Sequence, residues 1–152
     1  MGELLSIIKT GLETEQSAIA GLKEPVVSEY FQTLNAGNFT ATSQLFAVDG
    51  ALQPPFEEVV IGPEAIAAYL EQEARGIELQ PQQAESTLLN NGCTEVEVVG
   101  KVHTPWFSVN VCWMFILSPT KEIFLVKVEL LAGLQDLLQM RNNKNNKQAA
   151  EL

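Results

Sequence analysis

The chain has 152 residues, of which 46% are hydrophobic and 18% charged, and its formal net charge is −10. This balance suits one globular domain around one core and excludes a disordered or fibrous chain. The acidic surplus excludes a nucleic-acid partner, disfavours general attachment to anionic lipid, and leaves a neutral or apolar ligand as the natural partner.

Leu4, Leu5, Ile8 and Leu12 recur at helical spacing, so residues 1–20 read as an N-terminal amphipathic helix ahead of a domain over 21–141. That N-terminal stretch carries no basic signal-peptide pattern, no apolar run approaches the ~20 residues of a membrane span, and the expected location is cytoplasmic. Pro25 opens a second helix, in which Val27, Tyr30, Phe31 and Leu34 form one apolar face and after which Gly37 stops the run. A short helix is expected over Thr40–Phe46. Asp49-Gly50 then turns the chain into Ala51–Gln53, and Pro54-Pro55 ends that segment. Gly62-Pro63 opens a helix that runs to about Ala74 and carries Ile66, Tyr69 and Leu70.

Beyond Gly76 the period changes to two. Ile77 and Leu79 alternate before Pro81, and Glu85–Leu89 is a weaker strand. Asn91-Gly92 reads as a hairpin turn. Thr94–Phe107 alternates valines with Glu95, Glu97 and Lys101, and Val109–Leu117 puts Val111, Trp113, Phe115 and Leu117 on one face. Ser118–Lys121 is a turn, Ile123–Leu131 a strongly apolar strand, and Leu134, Leu137 and Leu138 mark a short C-terminal helix. Residues 142–152 read as a mobile polar tail. Helices followed by a run of antiparallel strands give an α+β fold: a curved antiparallel β-sheet wrapped by N-terminal helices into a cone whose mouth suits a ligand.

Phosphate-loop, dinucleotide and nucleophile-elbow motifs are absent from the sequence. His103 lies on the strand face of Glu95, Glu97 and Lys101, which favours a solvent-facing role. Cys93 and Cys112 lack metal-ligand spacing, and reduced thiols are the first expectation. Cys93 follows the Asn90-Asn91-Gly92 turn, so it is expected near the surface, where oxidation would join two chains through an intermolecular disulfide. Glu129 shares its strand face with Lys127, the glutamates between valines belong to the water side, and no carboxylate points into the cone as a base would. No catalytic residue or metal site is expected. Tyr30 and Trp113 remain as buried donors on apolar faces. Two readings stay open for them: each bonds a backbone carbonyl, or both aim at one ligand oxygen.

Four segments resemble the C-terminal domain of cyanobacterial orange carotenoid proteins, of the nuclear-transport-factor-2-like fold: YFQTLNAGNF (30–39), DGALQPPFE (49–57), GKVHTPWF (100–107) and IFLVKVELLA (123–132). They run in register over about 25–141. The resemblance implies a ketocarotenoid, canthaxanthin or echinenone, whose ring ketone accepts from Tyr30 and Trp113. It also implies apolar pocket positions at Leu34, Ile77, Leu79, Pro105, Phe107 and Val128. The stretch between Trp106 and Trp113 is about four residues shorter than in that family, and Met114 stands where the family has arginine. The family's helical carotenoid domain has no counterpart in these residues, so the chain reads as a standalone homologue. The expected function is a non-enzymatic carrier in photoprotection. It takes carotenoid from membranes, delivers it to a helical carotenoid-binding protein, and quenches singlet oxygen when loaded. Transient contact with the thylakoid periphery fits that role, and a homodimer would cover the pigment's second half. The alternatives are an isomerase or dehydratase of the same fold, and a ligand-free protein–protein module.

Overall fold

The computed structural model describes residues 19–131. The expected C-terminal helix and polar tail lie outside these residues. So does the expected N-terminal helix, save for its last two residues. Those two are not helical: Ile19 has no regular structure, and Ala20 forms a parallel bridge to Gln83 on the sheet edge.

The elements in order are α1 (Pro25–Asn35), α2 (Phe39–Ser43), β1 (Phe46–Gln53), β2 (Val60–Ile61), α3 (Pro63–Glu73), β3 (Glu78–Leu88), β4 (Thr94–His103), β5 (Ser108–Leu117) and β6 (Ile123–Leu131). The strands make one sheet in the order β2-β1-β6-β5-β4-β3. The expected α+β cone is present, with one correction: β1 and β6 are parallel, while the other neighbouring strands are antiparallel. The cause is connectivity. The meander β3–β4–β5–β6 returns its last strand beside β1, and the crossover through β2 and α3 sets the direction.

Local chemistry sets the boundaries. Pro25 and Pro63 occupy the first turns of α1 and α3, where a missing N–H costs nothing. Asn38 caps α2 by accepting from the Ala41 N–H at 3.2 Å. The helix expected to reach Phe46 ends earlier, at Ser43, because Phe46 is already paired with Ile123 in the sheet. Asp49-Gly50 does not break β1. The two residues sit in a bulge between Phe46 and Ala51, where the register with β6 shifts. Pro81 likewise does not divide β3, which passes it through a register shift between Pro81 and Gln83. That site is on an edge strand, where proline is tolerated. The strand expected to reach Phe107 stops at His103, and residues 104–107 form a turn. The short strand β2 carried no period in the sequence.

The core lies between the concave face of the sheet and the helices. Val96, Phe115, Val126 and Leu52 form one cross-strand row, all buried, and Ala84, Val98, Trp113 and Val128 form the next. Val27, Tyr30, Phe31 and Leu34 of α1, with Ile66 and Leu70 of α3, close over these rows.

Gly100 sits where β4 passes the β3 bulge. A Cβ there would collide with the Gln80 carbonyl oxygen and come within 2.8 Å of Pro81 Cα. Backbone cannot yield as a flexible side chain would, so Gly100→Ala is expected to lower stability by about 2–4 kcal/mol. Urea unfolding followed by tryptophan fluorescence checks this.

Candidate ligand-binding site

α1 brings Tyr30 and Phe31 onto the concave face. The Tyr30 ring stands edge-on to Phe115 at 5.1 Å and to Phe31 at 5.4 Å. Phe31 in turn stands edge-on to Trp113 at 4.9 Å. Tyr30 and Trp113, singled out in the sequence, thus belong to one buried cluster with Phe31 and Phe115 as its link. Asn35, which the sequence did not reveal as a positioning residue, fixes the end of α1. Its side chain donates to the Leu79 carbonyl at 2.8 Å and accepts from the Leu79 N–H at 2.7 Å. This two-bond clamp fastens the end of α1 to the start of β3.

The cone has a closed end and an open end, visible as a gradient along the inward faces. On β6, Val126 is fully buried, Val128 is half-buried and Leu130 is 41% exposed. On β5, Phe115, Trp113 and Val111 are buried and Val109 is half-buried; on β4, Val96 and Val98 are buried and Val102 is half-buried. The mouth therefore lies at the end where β1, β4 and β6 finish and β3 and β5 begin. Of the expected pocket positions, Leu34 and Leu79 are buried in the wall, Ile77 and Val128 are half-buried toward the mouth, and Pro105 and Phe107 are exposed on its edge.

Among the described residues, neither the Tyr30 hydroxyl nor the Trp113 indole N–H has a hydrogen-bond partner, yet no side-chain polar atom is both fully dry and unpartnered. The backbone-carbonyl reading left open by the sequence does not hold among these residues. Both side chains are buried, Tyr30 at 2% and Trp113 at 1% exposure. Burial, and then the neighbouring Tyr69 phenol, push the Tyr30 hydroxyl well above its ordinary range, so it is a neutral donor at any physiological pH.

Tyr69 on α3 donates to Glu57 Oε2 at 2.6 Å, which ties the loop after β1 to the helix layer. Its phenol is also raised, by burial first and by Glu57 second. The strand glutamates point away from the cone: Glu85, Glu95 and Glu97 share the outer face, and Lys127 pairs with Glu129 at 3.1 Å. His103 is on that outer face as well, between Ser108 Oγ at 2.6 Å and Gln80 Oε1 at 2.9 Å. Cys93 is 6% exposed, which overturns the expected surface thiol. The Asn91 side chain accepts from the Cys93 N–H at 3.1 Å and tucks the residue under the β3–β4 turn. In this fold it is not placed to cross-link two chains.

The model of the nuclear transport factor 2 (NTF2) domain matches residues 23–132. The chain belongs to the NTF2 domain family. Two curated relatives are each 37% identical: the orange carotenoid-binding protein of Limnospira maxima, over 126 residues, and that of Synechocystis, over 125 residues. Both alignments take in 80% of this chain, against 40% and 39% of those proteins. The chain therefore spans about two fifths of the length of the curated relatives it matches. Among solved structures, an orange carotenoid protein of Anabaena (Nostoc) that binds canthaxanthin superposes with a TM-score of 0.76 at 38% identity, covering 82% of this chain and 41% of that one. The NTF2 domain supplies the curved six-stranded sheet and the helices over it. Among the described residues, no helix is long and apolar enough to cross a membrane.

The raised phenols give a pH prediction. Each has a native value above the ordinary 10.0, so the native state retains protons that the unfolded chain gives up as pH rises past 10. Stability is therefore intact below pH 10 and falls above it. Absorbance at 295 nm, which reports the chain's two tyrosines, should stay flat past the ordinary midpoint and rise only together with loss of the folded circular-dichroism signal.

Proposed function

We propose that this chain binds a ketocarotenoid in the cone, canthaxanthin or echinenone, and serves as a non-enzymatic carrier in photoprotection. The observation that carries the reading is the pair of buried donors, Tyr30 and Trp113, joined through Phe31 and lacking described partners, in a chain 37% identical to an orange carotenoid-binding protein. A ring ketone has two lone pairs and can accept from both donors. Burial of the apolar ring and polyene supplies most of the affinity, at about 25 cal/mol per Å², and the two hydrogen bonds fix orientation.

The finer parts of the reading follow from size. A domain of this length has a radius of gyration of only ~15 Å, so one cone covers one ring and part of a carotenoid. The exposed remainder is met by a second copy holding the other ring, giving a homodimer when loaded, or by transfer to a helical carotenoid-binding protein. Uptake from a membrane, work at the thylakoid periphery from the cytoplasm, and singlet-oxygen quenching by the bound pigment complete the proposal. An isomerase or dehydratase is less well supported, because the described strand glutamates face outward and leave no base beside the two donors.

Expression in a ketocarotenoid-producing host should yield coloured protein. Tyr30→Phe and Trp113→Phe should each weaken retention by about fivefold, the worth of one hydrogen bond, and shift the absorption maximum to the blue. A colourless wild type would overturn the carrier reading, and a double variant with unchanged spectrum and yield would overturn the donor assignment.

A further inference from the structure

Four aromatic side chains stand among the large exposed hydrophobics: Phe56, Trp106, Phe107 and Phe124. Phe124 is at the closed end of the sheet, near the start of β6. The other three stand at the mouth. Trp106 is 85% exposed on the β4–β5 turn with Phe107 beside it, and Phe56 is 94% exposed on the loop after β1. β6 lies between β1 and the β4–β5 turn, so the two loops are two to three strand spacings apart, about 10–14 Å across a flat sheet and less across a curved one.

Both loops are held rather than slack. Thr104 ties its turn closed: its Oγ1 donates to the Phe107 carbonyl at 2.8 Å and accepts from the Phe107 N–H at 3.0 Å, and its own N–H donates to the same carbonyl at 2.8 Å. Phe56 has a φ of 62°, a left-handed conformation that a bulky residue rarely adopts. The adjacent Glu57 is bonded to Tyr69 at 2.6 Å, which holds the loop in place. The backbone at Phe56 carries a conformational cost, and the phenyl ring it bears stands 94% exposed.

From this arrangement we infer that Phe56, Trp106 and Phe107 form a docking rim that sets the mouth against a bilayer of net-neutral headgroups. The inference rests on the carrier reading for its purpose, since an apolar cargo enters without crossing water only if the mouth meets the acyl phase directly. Its chemistry is independent of that reading. Trp and Phe are side chains favoured at the membrane–water interface. Residues 104–107, Thr-Pro-Trp-Phe, bear no charge, and Glu57 and Glu58 follow Phe56 directly. With a net charge of −10 behind them, these acids repel an anionic surface and also a second empty copy brought mouth to mouth. A zwitterionic bilayer imposes neither penalty.

The test uses the full chain without pigment and pigment-free phosphatidylcholine vesicles. Trp113 is buried and Trp106 exposed, so a blue shift and quenching by brominated phosphatidylcholine report Trp106. Both are expected, together with weaker binding as phosphatidylglycerol is mixed in. In vesicle flotation, Trp106→Ala with Phe107→Ala should lower the bound fraction by about tenfold or more, and Phe56→Ser should lower it further. These side chains are exposed, and an unchanged melting temperature verifies that the variants fold. Wild-type emission indifferent to brominated vesicles, or flotation unaltered by the substitutions, would overturn the rim. So would lipid-free cross-linking of two empty copies through the Trp106 turn, which would make it a protein interface. Pigment supplied in detergent separates the two proposals: if the chain never binds it but the empty protein still docks, the carrier reading falls and the rim stands.

Discussion

Phe31 is wedged edge-on between Trp113 at 4.9 Å and Phe115 at 5.8 Å, and this contact decides where α1 crosses the concave face of the sheet. Because Tyr30 is the next residue on the same helix, the wedge also fixes the Tyr30 ring against Phe115. Tyr30 and Trp113 thus do not position themselves. They are placed by a pair of phenylalanines that carry no chemistry, and the Asn35 clamp on Leu79 holds the end of the helix in register with the sheet. The placement of Tyr30 and Trp113 inherits its accuracy from core packing, which is dense and yields little.

The apolar rows set the closed end, and edge-strand devices protect what packing leaves open. β3 is an outer strand, yet Ala20 bridges to Gln83, and Pro81 and the glutamates discourage further pairing. The mouth is the place where those rules relax. Its inward residues lose burial step by step from Val126 to Leu130, and its loops carry aromatics in water. Exposed aromatics clustered in this way mark a surface built for contact.

Much of this was legible in the sequence because it is periodic. The i, i+3, i+4, i+7 face of α1 and the alternation in β4, β5 and β6 place Tyr30, Trp113 and their neighbours correctly on the concave side. What was not legible depends on contacts between distant segments. The Asp49-Gly50 bulge and the passage of β3 through Pro81 follow from pairing partners, and local turn chemistry pointed the other way. The parallel β1–β6 pair has no local signal at all. Cys93 was misplaced because a turn was equated with the surface, whereas Asn91 folds that turn back over it. The roles of Asn35 and Glu57, and the bond that Tyr69 makes to Glu57, are not legible because a polar residue on a helix or loop has no period to read, only a partner to be found.

The Asn35–Leu79 clamp joins residues 44 positions apart. Closing so long a segment is entropically uphill until the sheet it docks on exists, so this contact belongs among the late events of folding. In a growing chain, α1 leaves the ribosome well before the strands that will receive it. Its apolar face, with Tyr30 and Phe31 at the centre, must wait in the open until β5 is made, so an early helix is seated only after the strands that follow it.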